Sequence, residues 1–287
     1  HAEGQPCESL AGMADVLAAA QGADVVLLFL GLDIKMTNKE GQDRSHDGAG
    51  YALPGKQQEL AKQIHALGKP VVACVLSGMA TGMDFVASTE WPLLIGGYGG
   101  RFGPTAIAQI LFGDVPPTGR LPYTIYPEVW ADNTAVTDMS MTGGDGRTYK
   151  WYHGAQRPPF LFGAGLTYTT WGTSAKPNGS QRSYDVTVTN TGSVAAQQVV
   201  MLFSRPVEVK EAPRPLPNRQ LFDFGRSRTL APGETQTLHF DVADTAVALV
   251  DWAGTRKAYA GSYAIEFHTG DDSAGALEFP YKVATTT

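Results

Sequence analysis

The residue types that could do chemistry crowd one stretch of this 287-residue chain, from Gly31 to Gly55: GLDIKMTNKEGQDRSHDGAGYALPG. Asp33, Lys35, Lys39, Glu40, Asp43, Arg44, His46 and Asp47 all fall within it. In Glu40-Gly41-Gln42-Asp43-Arg44, one carboxylate lies beside a glycine and a second beside an arginine. A general acid has to be held within reach of a leaving oxygen and kept partly protonated. Asp43, next to Arg44, reads as half of an ion pair that shapes the loop. Glu40 has no adjacent arginine, and Gly41 allows it an unusual backbone angle. Glu40 is therefore the candidate acid. On chemistry alone, the ordinary reading of the same residue is a solvated surface carboxylate.

Other signatures come close and fall short. Gly50-Tyr-Ala-Leu-Pro-Gly55-Lys56 has the spacing of a phosphate loop, but Gln57 stands where a Ser or Thr would hold magnesium. Gly97-x-Gly99 begins like a dinucleotide loop, yet Phe102 replaces the third glycine. A tight strand-to-helix turn is the plainer reading of Gly96–Gly100. The six histidines are scattered without metal spacing, and Cys7 and Cys74 make no zinc site. No Gly-x-Ser-x-Gly elbow occurs, which removes a serine hydrolase. No metal and no cofactor is expected.

The elements around the charged stretch are legible. Asp24 to Leu30 is a short Val- and Leu-rich run that ends at Gly31 and reads as a buried parallel strand. Gln57 to Leu67 puts Leu60, Ile64 and Leu67 on one helical face and stops at Gly68. The connection between them far exceeds the usual ~4–6 residues, and such connections are usually functional or disordered. It leaves the carboxyl end of a strand, where open α/β sheets place their ligands. Residues 8–20 form a preceding helix, Val71 to Leu76 and Leu93 to Gly96 are two further strands, and Ala106, Ile107, Ile110 and Leu111 mark another helix. This alternation predicts a largely parallel sheet sandwiched by helices. Residues 114–171, dense in Pro, Gly and aromatics, read as irregular segments wrapping that unit.

The pattern changes at the polar stretch 172–181, GTSAKPNGSQ, which reads as a flexible linker. It contains the sequon Asn178-Gly179-Ser180, which permits glycosylation. Beyond it, Tyr184 to Asn190 alternates strictly, and Gln198 to Phe203, Thr235 to Val242 and Tyr263 to His268 are further β-like runs. Short alternating strands of this kind predict an antiparallel β-sandwich. The expected division is an α/β domain over 1–171, a linker over 172–181 and an all-β domain over 182–287.

Charged residues make up 17% of the chain and hydrophobic ones 43%, the balance of a globular protein. A formal charge of -6 and no long basic block argue against a nucleic-acid partner. No apolar run nears the ~18 residues that cross a bilayer, so no membrane is expected. Cys74, inside Val71–Leu76, reads as a buried free thiol.

The stretch GLD…EGQDR…LPGKQQEL resembles the second domain of glycoside hydrolase family three. GPTAIAQILFGDVPPTGRLPYTIYP, TDMSM, GRTYKWY and FLFGAGLTYTTW follow in that family's order. The tail, YDVTVTNTGSVAAQQVVMLF then LAPGETQTLHF, is similar to the family's fibronectin-type-III-like domain. The resemblance implies the C-terminal part of a secreted, retaining exo-β-glycosidase. A β-xylosidase is the first expectation, a β-glucosidase the second, and a non-catalytic carbohydrate-binding or assembly module a rival. It implies that Glu40 is the acid/base, that an N-terminal (β/α)8 barrel segment or chain supplies an Asp nucleophile, and that the substrate is a xylo-oligosaccharide or a β-glucoside. Set against that family, His46-Asp47-Gly48-Ala49-Gly50 looks inserted, and HAEGQPC looks like the middle of the second domain, after its first strand.

Overall fold

A computed structural model of the chain describes residues 11–32, 51–132, 134–135, 137–270 and 276–284. It divides into two compact units.

The first unit runs through α1 (Met13–Gly22), β1 (Val26–Gly31), α2 (Gln57–Ala66), β2 (Val71–Leu76), α3 (Asp84–Ser88), β3 (Leu93–Ile95) and α4 (Gly103–Leu111). The strands pair in parallel in the order β1-β2-β3, with Leu28 opposite Ala73 and Val75 opposite Ile95. Register partners share a face, so Leu28, Leu30, Ala73 and Val75, all buried, line one side of the sheet. Strands in sequence order joined by right-handed crossovers carry their helices on one face. Accordingly α2, which buries Ala61 and Ile64, packs against both α1 and α3. The predicted apolar runs and helical faces thus became the elements, and Cys74 is a buried free thiol whose pKa burial raises. The other side of β1 differs: Leu27 and Phe29 are 47% and 51% exposed. The short helices α3 and α5 (Glu128–Asp132) were not anticipated, because a helix of five residues is too brief to show a period.

The second unit is a β-sandwich. One sheet has the order β4-β5-β8, from β4 (Trp171–Asn178), β5 (Ser180–Asn190) and β8 (Thr235–Asp241). The other has the order β12-β11-β6-β7, from β6 (Val199–Val209), β7 (Gln220–Arg226), β11 (Gly261–His268) and β12 (Leu277–Val283), while β9 (Leu249–Val250) and β10 (Arg256–Lys257) pair with each other. Tyr184, Val186 and Val188 of β5 point into a core shared with Val200, Leu202, Tyr263, Ile265, Phe267 and Tyr281. The alternate Thr187 and Thr189 face out and bond Thr237 and Thr235 across the pair, at 2.9 and 3.0 Å. Strand β5 closes on Asn190, buried with its amide donating to the carbonyls of Val194 and Leu230.

Two expectations need correction. Residues 172–178 are no linker: they belong to β4, paired antiparallel with β5 from Trp171↔Asn190 to Pro177↔Tyr184. An edge strand carries polar residues on its open side and tolerates proline, so its composition mimics a linker. Nor do residues 114–171 all wrap the α/β unit. Residues 113–123, 141–154 and 161–170 belong to the second unit. There Tyr149 stacks on Phe162 at 4.3 Å, and both meet Phe203 of β6 edge-on. These aromatics cover the outer face of the sheet, a contact that leaves no periodic trace in an irregular segment.

Candidate functional site

Glu40, with Asp33, Asp43, Arg44 and the rest of the charged stretch 33–50, lies outside the described residues. The structure does place both stems of that connection. The outgoing stem is Gly31-Leu32, at the carboxyl end of β1. The Leu32 amide donates to the carbonyl of Leu76 at 3.0 Å, extending the pairing of β1 with β2. The Leu32 carbonyl accepts from the Tyr98 hydroxyl at 2.8 Å. Tyr98 reaches it from the turn after β3, its ring lying against Gly78, where any side chain would collide with it.

The returning stem is Tyr51 to Pro54. Ala52 bridges Gly82 in parallel; the Leu53 amide donates to the Gly82 carbonyl at 3.2 Å, and the Gly82 amide to the Tyr51 carbonyl at 2.8 Å. The Tyr51 hydroxyl accepts from the Tyr126 amide at 3.1 Å. Tyr51 and Leu53 are buried. A buried stem can be held this way only if its backbone groups find partners, and here they do.

One side chain joins the two stems. Gln57, the first residue of α2, accepts from the Gly31 amide through Oε1 at 2.7 Å and donates through Nε2 to the Gly31 carbonyl at 2.7 Å. The same Nε2 reaches the Pro54 carbonyl at 3.2 Å. The residue that spoiled the phosphate-loop reading spends its carboxamide on backbone. The Gly31 backbone also abuts the Leu76 carbonyl so closely that no Cβ would fit.

Behind the returning stem, Asp84 and Glu128 hold α3 against α5, and Gln58 of α2 donates to Glu128 Oε1 at 3.1 Å. Among the described residues no group of His, Cys, Asp and Glu could hold a metal ion, and no helix is long and apolar enough to cross a membrane. Sequence reasoning missed Gln57, Tyr98, Asp84 and Glu128 as structural partners. Their contacts are remote in sequence, and nothing local marks them.

Both stems of the connection that contains EGQDR are thus clamped at the carboxyl end of a parallel sheet. The family model for the glycosyl hydrolase family 3 C-terminal domain matches residues 8–168, a span that includes both stems. The chain belongs to glycosyl hydrolase family 3. A second model, the fibronectin type III-like domain, matches residues 198–273 of this family 3 chain, within the β-sandwich.

Its similarity to a probable exo-1,4-beta-xylosidase bxlB of Aspergillus flavus is 33% identity over 290 residues, covering 92% of this chain and 36% of that protein. A probable exo-1,4-beta-xylosidase xlnD of Aspergillus fumigatus is 32% identical over 298 residues, covering 93% and 36%. The chain thus spans about a third of the length of these curated relatives. Among solved structures, the family 3 exo-beta-xylosidase XlnD in complex with a xylobiose aziridine probe superposes with a TM-score of 0.83 at 27% identity, over 97% of this chain and 39% of that one. A b-glucosidase, EmGH1 from Erythrobacter marinus, does so with a TM-score of 0.74 at 29% identity, over 94% and 36%.

Proposed function

We propose that this family 3 chain is the C-terminal part of a retaining exo-β-glycosidase, a β-xylosidase in the first place. Glu40 supplies the general acid/base, and a barrel-bearing N-terminal part of the longer protein supplies the Asp nucleophile. The observation that carries the reading is the 33% identity to a probable exo-1,4-beta-xylosidase across 92% of the chain. The clamped stems support it, since an acid/base borne on a long connection needs a fixed base. The half-exposed Leu27 and Phe29 on edge strand β1 support a further segment of the protein packing there. Secretion is proposed as part of the same reading, because the substrates of such an enzyme are oligosaccharides.

In this mechanism the nucleophile attacks the anomeric carbon while protonated Glu40 donates to the leaving oxygen. Glu40, now a carboxylate, then takes a proton from the water that releases the sugar, the two carboxyls standing ~5–5.5 Å apart as is usual for retention. No cofactor takes part.

The test is Glu40→Ala in the full-length enzyme. Hydrolysis of xylobiose should collapse by roughly 10²–10⁴-fold, the usual contribution of general acid catalysis. Attack on a dinitrophenyl xyloside should suffer far less, because that leaving group needs little protonation, and azide should restore its turnover. Equal losses on both substrates without rescue would leave Glu40 a structural residue and favour the non-catalytic module. The 29% identity to EmGH1 favours a second reading, a β-glucosidase. A higher kcat/KM on the aryl glucoside than on the aryl xyloside would select it.

A further inference from the structure

We propose that the β9–β10 hairpin and α6 (Thr148–Trp151) form a binding site for a carboxylate-bearing saccharide, such as the uronic-acid branch of a polysaccharide. The choice of a saccharide rests on the glycosidase reading above. The choice of an acidic one rests on the charges at this corner of the second unit. A relay of hydrogen bonds brings the two elements together. The Asn218 amide donates to the Lys150 carbonyl at 2.7 Å, and its Nδ2 to the Tyr152 carbonyl at 2.8 Å, which fastens α6. Two residues on, Gln220 Nε2 donates at 3.4 Å to the carbonyl of Ala248, the residue before β9. Strand β10 then pairs Arg256 with Val250 and Lys257 with Leu249.

Half-buried Lys150 and exposed Arg256 and Lys257 have no anion to answer them. Among the described residues none of the three forms an ion pair. Arg256 donates to the Thr245 carbonyl at 2.9 Å, and Lys150 Nζ lies 5.9 Å from the centre of the Trp151 ring. Asp251, on the hairpin, engages Oδ1 with the amides of Ala253 and Thr255, both at 2.9 Å, and Asp244 is taken by Arg182 and Tyr281. Burial and the neighbouring Arg256 push Lys150 below its ordinary pKa. A half-buried ammonium beside a second cation costs free energy that a bound carboxylate would offset. A guanidinium meets a carboxylate with two parallel N–H donors. The same end of the hairpin presents Trp252, 85% exposed, two residues past the register partner of Arg256. Asp251 fixes the turn that displays it. The apolar C–H face of a sugar packs on such a ring while its carboxylate meets the cations, so a sugar acid uses both halves of the site.

The test is affinity electrophoresis of the full-length protein in gels containing glucuronoxylan, neutral arabinoxylan or polyglutamate. Glucuronoxylan should retard the protein most, and added salt should weaken the retardation. Arg256→Gln and Lys150→Gln should each weaken binding roughly ten- to hundredfold, the range for a lost charge-assisted hydrogen bond. Trp252→Ala should weaken it several-fold, and all three should leave kcat/KM on an aryl xyloside unchanged. Arg256→Gln and Trp252→Ala alter exposed side chains, so they decide the matter if Lys150→Gln fails to fold. Equal retardation by polyglutamate would reduce the site to a plain polyanion patch and overturn the proposal. So would equal retardation by arabinoxylan, or variants that bind like wild type. Retardation by glucuronoxylan in a protein that hydrolyses no aryl glycoside would remove the glycosidase reading and leave the site. Hydrolysis without retardation would do the reverse.

Discussion

Asp84 and Glu128 cap each other's helices. The Asp84 amide, at the start of α3, donates to Glu128 Oε1 at 3.1 Å, and the Glu128 amide, at the start of α5, donates to Asp84 Oδ2 at 3.0 Å. The first amides of a helix have no partner within it, and here each carboxylate serves one on the other helix. The pair joins segments 44 residues apart, behind the stem that returns from the charged stretch. Asp84→Ala should therefore cost about 1–3 kcal/mol, the range for a lost charge-assisted hydrogen bond and the donor it strands. Asp84→Asn should cost less, since its carbonyl still accepts. Denaturant midpoints would show it, and a loss no larger than that of exposed Asp114→Ala would refute the capping role.

Glu266 should set part of the acid limit of the β-sandwich. Burial pushes its carboxyl up, but hydrogen bonds from His268 and Arg205, at 3.3 and 2.5 Å, outweigh that and hold it below the usual range. A folded pKa below the unfolded one gives stability that is complete above the unfolded value and lost as pH falls through the folded one. Thermal unfolding of Glu266→Gln should accordingly start lower at pH ~7 and decline less than wild type below the free-carboxyl value of about 4.3. Parallel curves for the two proteins would contradict this.

At the alkaline end the relevant group is Tyr281. Burial, together with its hydrogen bond to Asp244 at 2.8 Å, raises its pKa to about 12. A raised folded value contributes stability that is whole below the unfolded pKa of about 10 and disappears as pH climbs through the folded one. Burial also raises Tyr123, Tyr149, Tyr152, Tyr184 and Tyr263, so ultraviolet titration should find several late-ionising tyrosines and one fewer of them in Tyr281→Phe. Early ionisation of every tyrosine in the folded protein would count against it.

Strand β4 makes a different prediction from the linker its composition suggests. On an edge strand only alternate amides bond the neighbour. Native-state hydrogen exchange should find slow amides at alternate positions of Trp171–Asn178. Uniformly fast exchange there would restore the linker.

Phe29 probes the open side of β1. In the isolated chain it is 51% exposed, so Phe29→Ala should be mild. In the full-length protein it should cost ~3–5 kcal/mol, as for a buried phenylalanine, if a preceding segment packs there. Equal small losses in both contexts would mean that nothing covers this face.

What the sequence determined by itself is whatever repeats within a few residues. The Val- and Leu-rich runs became β1, β2 and β3, the 3.6-residue spacing of Leu60 and Ile64 became α2, and the alternation from Tyr184 to Asn190 became β5. Burial imposes those periods locally, so they can be read without a partner. The EGQDR stretch and its long connection stand out in the sequence for the same reason, residue types and their spacing being local, but Glu40 lies outside the described residues. The tertiary structure decided the rest. Gln57 meets Gly31 across 26 residues, and Tyr98 meets Leu32 across 66. Tyr149 and Phe162 join the sandwich instead of the α/β unit. A polar stretch becomes an edge strand because β5 offers it a ladder. Hydrogen bonds between distant residues leave no period in the chain, since each partner is chosen by the fold that brings it near.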